Sequence, residues 1–342
     1  MEHPYKKLNK NKFWKSINSG EIDLGKAKFS ISSSDKIISA GSCFASNIIS
    51  YLESYGLEYI KAEKRPFGLA DLVDNYFYDT YSARYGNIYN PRQLLQLIQR
   101  ATGEIKPVER YWIQGNKFID PYRPGLKFKP ESESEFELET KSHFSKIRYL
   151  ISEANVFIFT SGLSEIWFNA KDKIVYPACP GTIAGEFDPS IHTFHLLNSN
   201  EIYEDLVKCR VAIMKINPKI KFIFSVSPVP MIATASDKTI LVANSTSKAN
   251  LLDATIRMCE EFQNCEYFPA YDLVFSNTSK MAVFEPDGRT VKKIVIDMVM
   301  DKFFKFFGLG HLKLPIVNTD KKQEVNVAEI IQRECEEQQL AE

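Results

Sequence analysis

Three short apolar runs, each ending in a small polar turn, most constrain the fold of this chain. They cover residues 36–41, 155–160 and 220–227, and the turns at their ends are Gly41-Ser42-Cys43, Ser161-Gly162 and Ser225-Val226-Ser227. The runs lack alternation of polar and apolar residues, which is typical of strands buried on both faces of a parallel sheet. Helical segments separate them. The chain is therefore predicted to be an α/β protein with a central parallel sheet and helices on both faces.

The three turns are expected to form one site. The carboxyl ends of parallel strands meet at the same edge of a sheet, and ligands of such folds bind outside that edge. We therefore expect Gly41, Gly162 and Ser227 to lie along one edge, with the sequence-distant Asp287 near it.

The chain is predicted to hold one large domain with an appendage at each end. Residues 1–35 are polar and basic with isolated aromatic residues, which indicates an arm lying on the domain. Residues 36–310 carry the strands and helices, with two hairpin insertions near 111–119 and 166–176. Residues 311–342 are predicted to be a charged tail.

Charge and cysteine content argue against several classes of protein. Lysine plus arginine and aspartate plus glutamate each number 43, so the net charge is zero. This balance argues against general binding to nucleic acid or to an anionic membrane surface. The chain shows no membrane-spanning run of about 18 apolar residues and no apolar core of a signal peptide. The six scattered cysteines favour free thiols over disulfides or zinc, so we expect a cytoplasmic protein that requires no cofactor.

The turn after the first run carries two candidate nucleophiles. Gly41 breaks the run, and helical periodicity begins at Phe44, so Ser42 and Cys43 lie between a strand end and a helix N-terminus. Backbone N–H groups at such a terminus can hold an oxyanion, and the terminus lowers the pKa of a thiol. Cys43 is either a thiolate nucleophile or a small residue that packs the turn. Ser42 either attacks or caps the helix, and capping is the favoured interpretation.

Other polar residues are candidates for general acid–base chemistry, each with a simpler alternative. Glu165 is either a base or orienting carboxylate, or a solvated or ion-paired residue at a hairpin start. Residues 177–198 are predicted to be a long functional loop, from which His192 or His195 could reach the cleft as a base. Surface loop histidines are the favoured interpretation of this pair. Asp287 either orients a base or forms the turn before Gly288.

Several motifs in the same order resemble those of one family. Gly41-Ser42-Cys43-Phe44-Ala45 resembles the signature of the GSCFA family, which is similar to the SGNH (GDSL-like) hydrolases. The other blocks are residues 87–95, Gly162-Leu163-Ser164-Glu165-Ile166-Trp167, residues 225–230 and Asp287-Gly288-Arg289. The resemblance covers about residues 36–307. It implies a three-layer α/β/α sandwich, SGNH- or flavodoxin-like.

The resemblance also implies roles for individual residues. Cys43 falls where the SGNH superfamily has its catalytic serine. Gly162 falls where a backbone oxyanion donor stands, and Ser164 takes the place of an asparagine. Asp287-Gly288-Arg289-Thr290 falls at the Asp-x-x-His block, so Thr290 stands where the catalytic histidine would be. A threonine hydroxyl cannot act as a base near neutral pH.

The resemblance implies an enzyme that acts on acyl esters, either an esterase or an O-acyltransferase. The expected substrate is a small-molecule or carbohydrate ester, such as an acylated cell-surface polysaccharide. A cysteine nucleophile suits thioester chemistry, which makes acetyl-coenzyme A a possible donor. The alternative is a catalytically inactive carbohydrate-binding or scaffold protein that retains the cleft but has lost its base.

Overall fold

The computed structural model describes residues 3–9, 12, 17, 22–64, 78, 81–276 and 282–312. The strands in this part of the chain are β1 (Lys36–Gly41), β2 (Glu58–Tyr59), β3 (Trp112–Gln114), β4 (Lys117–Ile119), β5 (Val156–Ser161), β6 (Glu165–Asn169), β7 (Val175–Tyr176), β8 (His192–Leu196), β9 (Lys221–Val226) and β10 (Cys265–Tyr267). The α-helices are α1 (Asn47–Ser54), α2 (Pro91–Thr102), α3 (Glu133–Glu153), α4 (Ser199–Ile216), α5 (Ile240–Glu261), α6 (Ala270–Ser276) and α7 (Lys293–Phe306). Short 3-10 helices cover Pro4–Lys7 and Cys43–Ser46.

Five parallel strands form the central sheet in the order β10-β9-β5-β1-β2. After β2 the chain crosses to the other side of β1, which makes the β1–β5 boundary the topological switch point. Gly41 lies opposite Thr160, and Ser161 lies opposite Val226. The turns after β1, β5 and β9 therefore lie along one edge, as predicted. A crevice at a switch point is the usual ligand site of an open α/β sheet.

Helices cover both faces of the sheet, which confirms the predicted three layers. Successive strand residues point to opposite faces, so Ile38 and Phe157 pack against α2, α3, α4 and α5. Ile37 and Ile158 face the other way, toward α1, α6 and α7. Apolar side chains on both faces explain why the strands show no alternating pattern in the sequence.

Local signals set the start of the helices nearest to the site. Pro91 occupies the first turn of α2, and the Asn90 Oδ1 accepts the Gln93 N–H at 3.0 Å as an N-cap. A capping box formed by Asn198 and Glu201 starts α4. These caps hold the loops that precede the helices in one conformation.

Two small sheets extend from the central sheet. The hairpin of β3 and β4 is as predicted, and β6 pairs with β7 as the second predicted hairpin. The prediction of a continuous loop over residues 177–198 is wrong, because β8 pairs with β6 to form the order β7-β6-β8. The prolines and glycines that precede this five-residue strand favoured the interpretation of the whole stretch as a loop.

The segment that precedes β1 packs on the domain in its described part. Ile31 is buried and donates its N–H to Phe307 O at 3.0 Å, and Lys302 Nζ donates to Ile22 O at 2.7 Å. Most of the predicted C-terminal tail, residues 313–342, lies outside the described residues. In the part of the chain that is described, no helix has the length and apolarity needed to cross a membrane.

Candidate functional site

The turn after β1 requires glycine at its first position. Gly41 has φ 155°, and a Cβ atom there would lie 2.6 Å from Thr160 O and 2.8 Å from the Ala45 Cβ. Ser42 then donates its N–H to Thr160 O at 3.1 Å, and its carbonyl accepts the Tyr81 hydroxyl at 2.8 Å. The turn is therefore fixed against β5 on one side and a tyrosine on the other.

A loop before α2 packs beside this turn and is held by its own side chains. Gln93 accepts the Tyr89 N–H at 2.9 Å and donates to Asn87 O at 2.8 Å. Ile88 donates its N–H to Gly41 O at 2.8 Å, which ties the loop to the end of β1. Residues 87–93 of the sequence motif therefore build one wall of the site.

Ser42 packs directly against the turn after β5. A Cβ atom on Gly162 would lie 2.9 Å from the Ser42 Cβ and 3.4 Å from the Ser42 Oγ, so glycine is needed for this approach. Ser42 is 3% exposed, and its Oγ has no hydrogen-bond partner within the described residues. It occupies the N-cap position but makes no side-chain cap bond, so the capping interpretation is wrong.

Ser164 carries a second buried hydroxyl that lacks a partner among the described residues. Its N–H donates to the Ser247 Oγ at 2.8 Å, and its carbonyl accepts the Leu197 N–H. A buried hydroxyl without a partner costs free energy and is rare in native proteins. Ser42 packs on Gly162 and Ser164 follows Gly162 by two residues, so the turns after β1 and β5 each carry one such hydroxyl.

Cys43 is the first residue of the 3-10 helix Cys43–Ser46, which continues directly into α1. Cys43 is partly exposed, whereas Ser42 is buried. The first N–H groups of a helix have no acceptor within the helix, so they can hold an oxyanion near this thiol. Cys43 is thus the more accessible of the two candidate nucleophiles.

The backbone N–H of Gly162 is already used in this structure. It donates to Tyr89 O at 2.7 Å, and the Leu163 N–H donates to the same oxygen at 3.2 Å. Gly162 can therefore serve as an oxyanion donor only if the Tyr89 carbonyl moves away. As the structure stands, Gly162 supplies the space that Ser42 occupies.

Lys248 is a site residue that the sequence reasoning missed. It is 1% exposed, and its Nζ donates to Gly162 O at 2.6 Å. A signal was present, because Lys248 shares helical spacing with the buried Leu251 and Thr255 of α5. A lysine on the apolar stripe of a helix needs a polar partner, and here the β5 turn provides one.

Glu165 faces a cleft of about 260 Å³ beside this turn. Tyr89, Asn90 and Leu163 also line the cleft, which connects it to the loop that packs on Gly162. The Glu165 carboxylate accepts the hydroxyl of Thr234 and, at 3.3 Å, the N–H of Ala235. Burial raises the pKa of Glu165, although both hydrogen bonds act in the opposite direction.

Neither His192 nor His195 of β8 lines this cleft. His192 lies opposite Asn169, whereas Glu165 lies opposite Leu196, so roughly 13 Å of strand separates the two positions. The His192 Nδ1 accepts the Asp188 N–H at 3.0 Å, and its Nε2 lies 3.3 Å from Glu109 Oε2. The His195 Nε2 lies 2.9 Å from Glu201 Oε1. The expectation that either histidine swings from a loop fails, because both belong to a paired strand.

The family is decided by a comparison with known protein families. The model of the GSCFA family matches residues 36–303. The chain belongs to the GSCFA family. Searches of curated proteins and of solved structures found no match to it. The matched range runs from the start of β1 to within α7, so the GSCFA region includes the whole central sheet.

The GSCFA region ends near the turn that carries Asp287 and Thr290. Asp287 accepts the N–H groups of Arg289 and Thr290, each at 2.9 Å, as well as the Thr290 hydroxyl. Arg289 Nε donates to Pro230 O at 3.1 Å, which ties this turn to the loop after β9. The Arg289 bond holds the turn of residues 287–290 against the loop after β9, at the carboxyl edge of the sheet. The Asp287 carboxylate accepts hydrogen bonds from within its own turn. Within the described residues of this GSCFA protein, no cluster of His, Cys, Asp or Glu could hold a metal ion.

Proposed function

We propose that this GSCFA protein is an ester-bond hydrolase or O-acyltransferase of SGNH type, with Cys43 as the nucleophile. The observation that carries the proposal is a pair of buried, unpartnered hydroxyls in the turns at the switch point of the sheet: Ser42, directly before Cys43, and Ser164, in the turn after β5. Hydroxyl donors without partners at such a position can stabilise the oxygen atom that gains negative charge during acyl transfer.

The proposed reaction proceeds through a thioester on Cys43. The Cys43 thiolate attacks the ester carbonyl carbon, and the carbonyl electron pair moves to oxygen. The Ser42 hydroxyl, together with the first N–H groups of the 3-10 helix, then donates to this oxyanion. Collapse expels the alcohol, which takes up the proton lost by the thiol. Water or a sugar hydroxyl then attacks the thioester and releases Cys43, which gives hydrolysis or transfer.

Glu165 is the proposed proton carrier of the cleft. Its raised pKa favours the protonated form more than in an ordinary glutamate, as a general acid requires. The cleft offers both aromatic and polar walls, which include Trp167, Asn90 and Thr234. This lining supports a carbohydrate ester as substrate. Acetyl-coenzyme A as acyl donor and the cytoplasm as location are further parts of the proposal, which rest on the suitability of a cysteine for thioester chemistry and on the scattered cysteines.

Hydrolysis of p-nitrophenyl acetate tests the proposal with three variants. Cys43→Ala should abolish the activity of the wild type. Ser42→Ala should lower kcat about 100- to 1,000-fold, because it removes one oxyanion donor. Ser50→Ala is the matched control, since Ser50 is exposed on α1, which follows the Cys43–Ser46 helix, and bonds to Asn47 O. If Ser42→Ala abolishes turnover while Cys43→Ala retains it, the nucleophile is Ser42.

A binding protein without catalytic activity is the second candidate. It is favoured by Thr290 at the place of the superfamily's histidine and by the engagement of His143, His192 and His195 with glutamates. If wild type shows no turnover of acetyl, sugar-ester or thioester substrates, the enzyme proposal is contradicted. Binding of a sugar ester without turnover would then support this second candidate.

A further inference from the structure

A second group of orphan polar atoms lies away from Cys43, around a cavity of about 420 Å³. The cavity is bounded by the last turn of α2, the first half of α3 and the segment that follows α2. Five buried side-chain polar atoms in the described part of the chain have no partner, and two are the serine hydroxyls above. The other three are Arg100 Nε, Thr140 Oγ1 and His143 Nε2. Arg100 and Thr140 line this cavity, and His143 lines a small space behind it.

Arg100 has an anionic neighbour in Asp120, which also lines the cavity, but it makes no direct ion pair among the described residues. Its guanidinium lies 4.0 Å from the centre of the Tyr122 ring and 5.8 Å from that of Phe144. Within the described residues it forms no ion pair, because the nearby Asp120 carboxylate bonds Arg123 Nε at 2.8 Å. Aromatic faces recover only part of the cost of removing a cation from water. An anion from outside the chain would complete this arrangement.

The rest of the lining is apolar and carries a net positive charge, because Lys106, Arg110, Lys141 and Arg148 outnumber the carboxylates of Asp120 and Glu137. Lys106 and Lys141 lie at its rim, and neither pairs with a described carboxylate. The carbonyl end of α2 would repel an anion, but Arg148 Nη1 donates to Ala101 O and offsets it. Ile105, Pro107, Phe136 and Phe144 provide apolar walls. The cavity therefore offers a charged end and an apolar body.

We propose that this cavity binds a small amphipathic anion, a carboxylate or phosphate on an apolar body. The anion lies against the Arg100 guanidinium, whose planar fork of donors suits both groups. The Thr140 hydroxyl donates a further hydrogen bond, and the apolar body packs between Phe136 and Phe144. The site is distinct from the proposed active site, because Arg100 lies roughly 14 Å along α2 from Pro91.

Isothermal titration calorimetry with octanoate, octyl phosphate and 1-octanol tests the site on the full chain. Wild type should bind at least one of the two anions more tightly than 1-octanol, and the tighter anion identifies the preferred head group. Arg100→Met should weaken binding of that anion roughly 10- to 100-fold and leave 1-octanol unchanged. Arg257→Met is the matched control, since Arg257 also stacks on a tyrosine but is exposed and pairs with Asp253 at 3.4 Å.

If Arg100→Met does not fold, the variants Thr140→Val and Lys141→Met test the same cavity. Each should weaken anion binding and reduce the rise in Tm that the anion gives to wild type. Equal binding of 1-octanol and both anions, no binding of any probe, or anion binding unaffected by these variants would overturn the proposal. None of these measurements depends on ester hydrolysis, so they test the anion site independently of the proposed function.

Discussion

At the scale of single residues, the atoms that lack hydrogen-bond partners separate into two groups. Ser42 Oγ and Ser164 Oγ belong to the turns after β1 and β5, whereas Arg100 and Thr140 line the α2–α3 cavity and His143 lines the small space next to it. The sequence predicted that Ser42 and Cys43 share a turn, because the Gly-Ser-Cys spacing is local. It could not show that the Gly162 N–H is bound to Tyr89 O or that Lys248 reaches Gly162 O, since these contacts join segments 73 and 86 residues apart.

Gly162→Ala tests the close approach of the two turns. The new methyl group would lie 2.9 Å from the Ser42 Cβ and 3.3 Å from the Tyr89 Cδ1, so Ser42 must shift. We expect a loss of about 1–3 kcal/mol in unfolding free energy and roughly a 100-fold loss in ester hydrolysis. Urea denaturation and p-nitrophenyl acetate hydrolysis measure the two effects. Gly310→Ala is the control, because the flexible Lys305 side chain there can move aside. Full activity in Gly162→Ala would show that this contact does not position the site.

At the scale of elements, strand and helix positions were predicted well where periodicity was strong. β1, β5, β9 and α2 lie where the apolar runs and Pro91 indicate. The failure at β8 has a physical cause. His192, Phe194 and Leu196 alternate with polar residues only over five positions, and pairing with β6 rather than local propensity makes them a strand. The hypothesis that His192 or His195 reaches the cleft from a loop is wrong for the same reason, because both residues belong to a strand that is paired with β6.

Thr290→His tests whether the turn of residues 284–291 is still built for catalysis. Asp287 already holds the Thr290 hydroxyl, so an imidazole at this position has an orienting carboxylate. If it points toward Cys43, general-base assistance should raise ester hydrolysis about 100- to 10,000-fold. The measurement is kcat/KM against pH for wild type and variant. An unchanged rate in Thr290→His would show that this turn does not direct a side chain at position 290 toward Cys43.

The link between β2 and α3 should make stability depend on pH through Glu63. Burial would raise its pKa, but the hydrogen bond and charge of His143, the charge of Arg123 and the hydrogen bond from the Arg84 N–H together lower the pKa to about 2. An unfolded glutamate titrates near 4.5, so the unfolded state takes up more protons below that pH. The stabilisation is therefore complete above about pH 4.5 and is lost as the pH falls toward 2.

Glu63→Gln provides the measurement of this effect. Wild type should exceed the variant by up to about 3 kcal/mol in unfolding free energy at neutral pH. The difference should shrink at about pH 3, as followed by urea denaturation. Glu131→Gln should change stability little, because water screens the exposed Glu131–Lys117 pair. A difference that stays constant or grows on acidification would contradict the lowered pKa.

At the scale of the whole molecule, the order of elements predicted the three layers, and the register of the sheet explains why one edge carries the site. Parallel pairing places Gly41, Thr160 and Ser225 at the same level, so three turns that are far apart in sequence converge. The sequence did not predict the α2–α3 cavity, because its lining comes from residues 100–148 without a shared motif. Empty space between packed helices depends on side-chain packing that periodicity does not encode.

Mapping the acyl group after reaction with p-nitrophenyl acetate tests the central claim, that Cys43 is the nucleophile. Burial raises the thiol pKa of Cys179, Cys209, Cys259 and Cys265, the last to about 12, so these thiols should remain unreactive. Mass spectrometry of quenched and digested protein should find one acetyl group, on the peptide that contains Cys43, and none in Cys43→Ala. Acetyl on Ser42 or on another cysteine, or no acetylated peptide during turnover, would contradict the account.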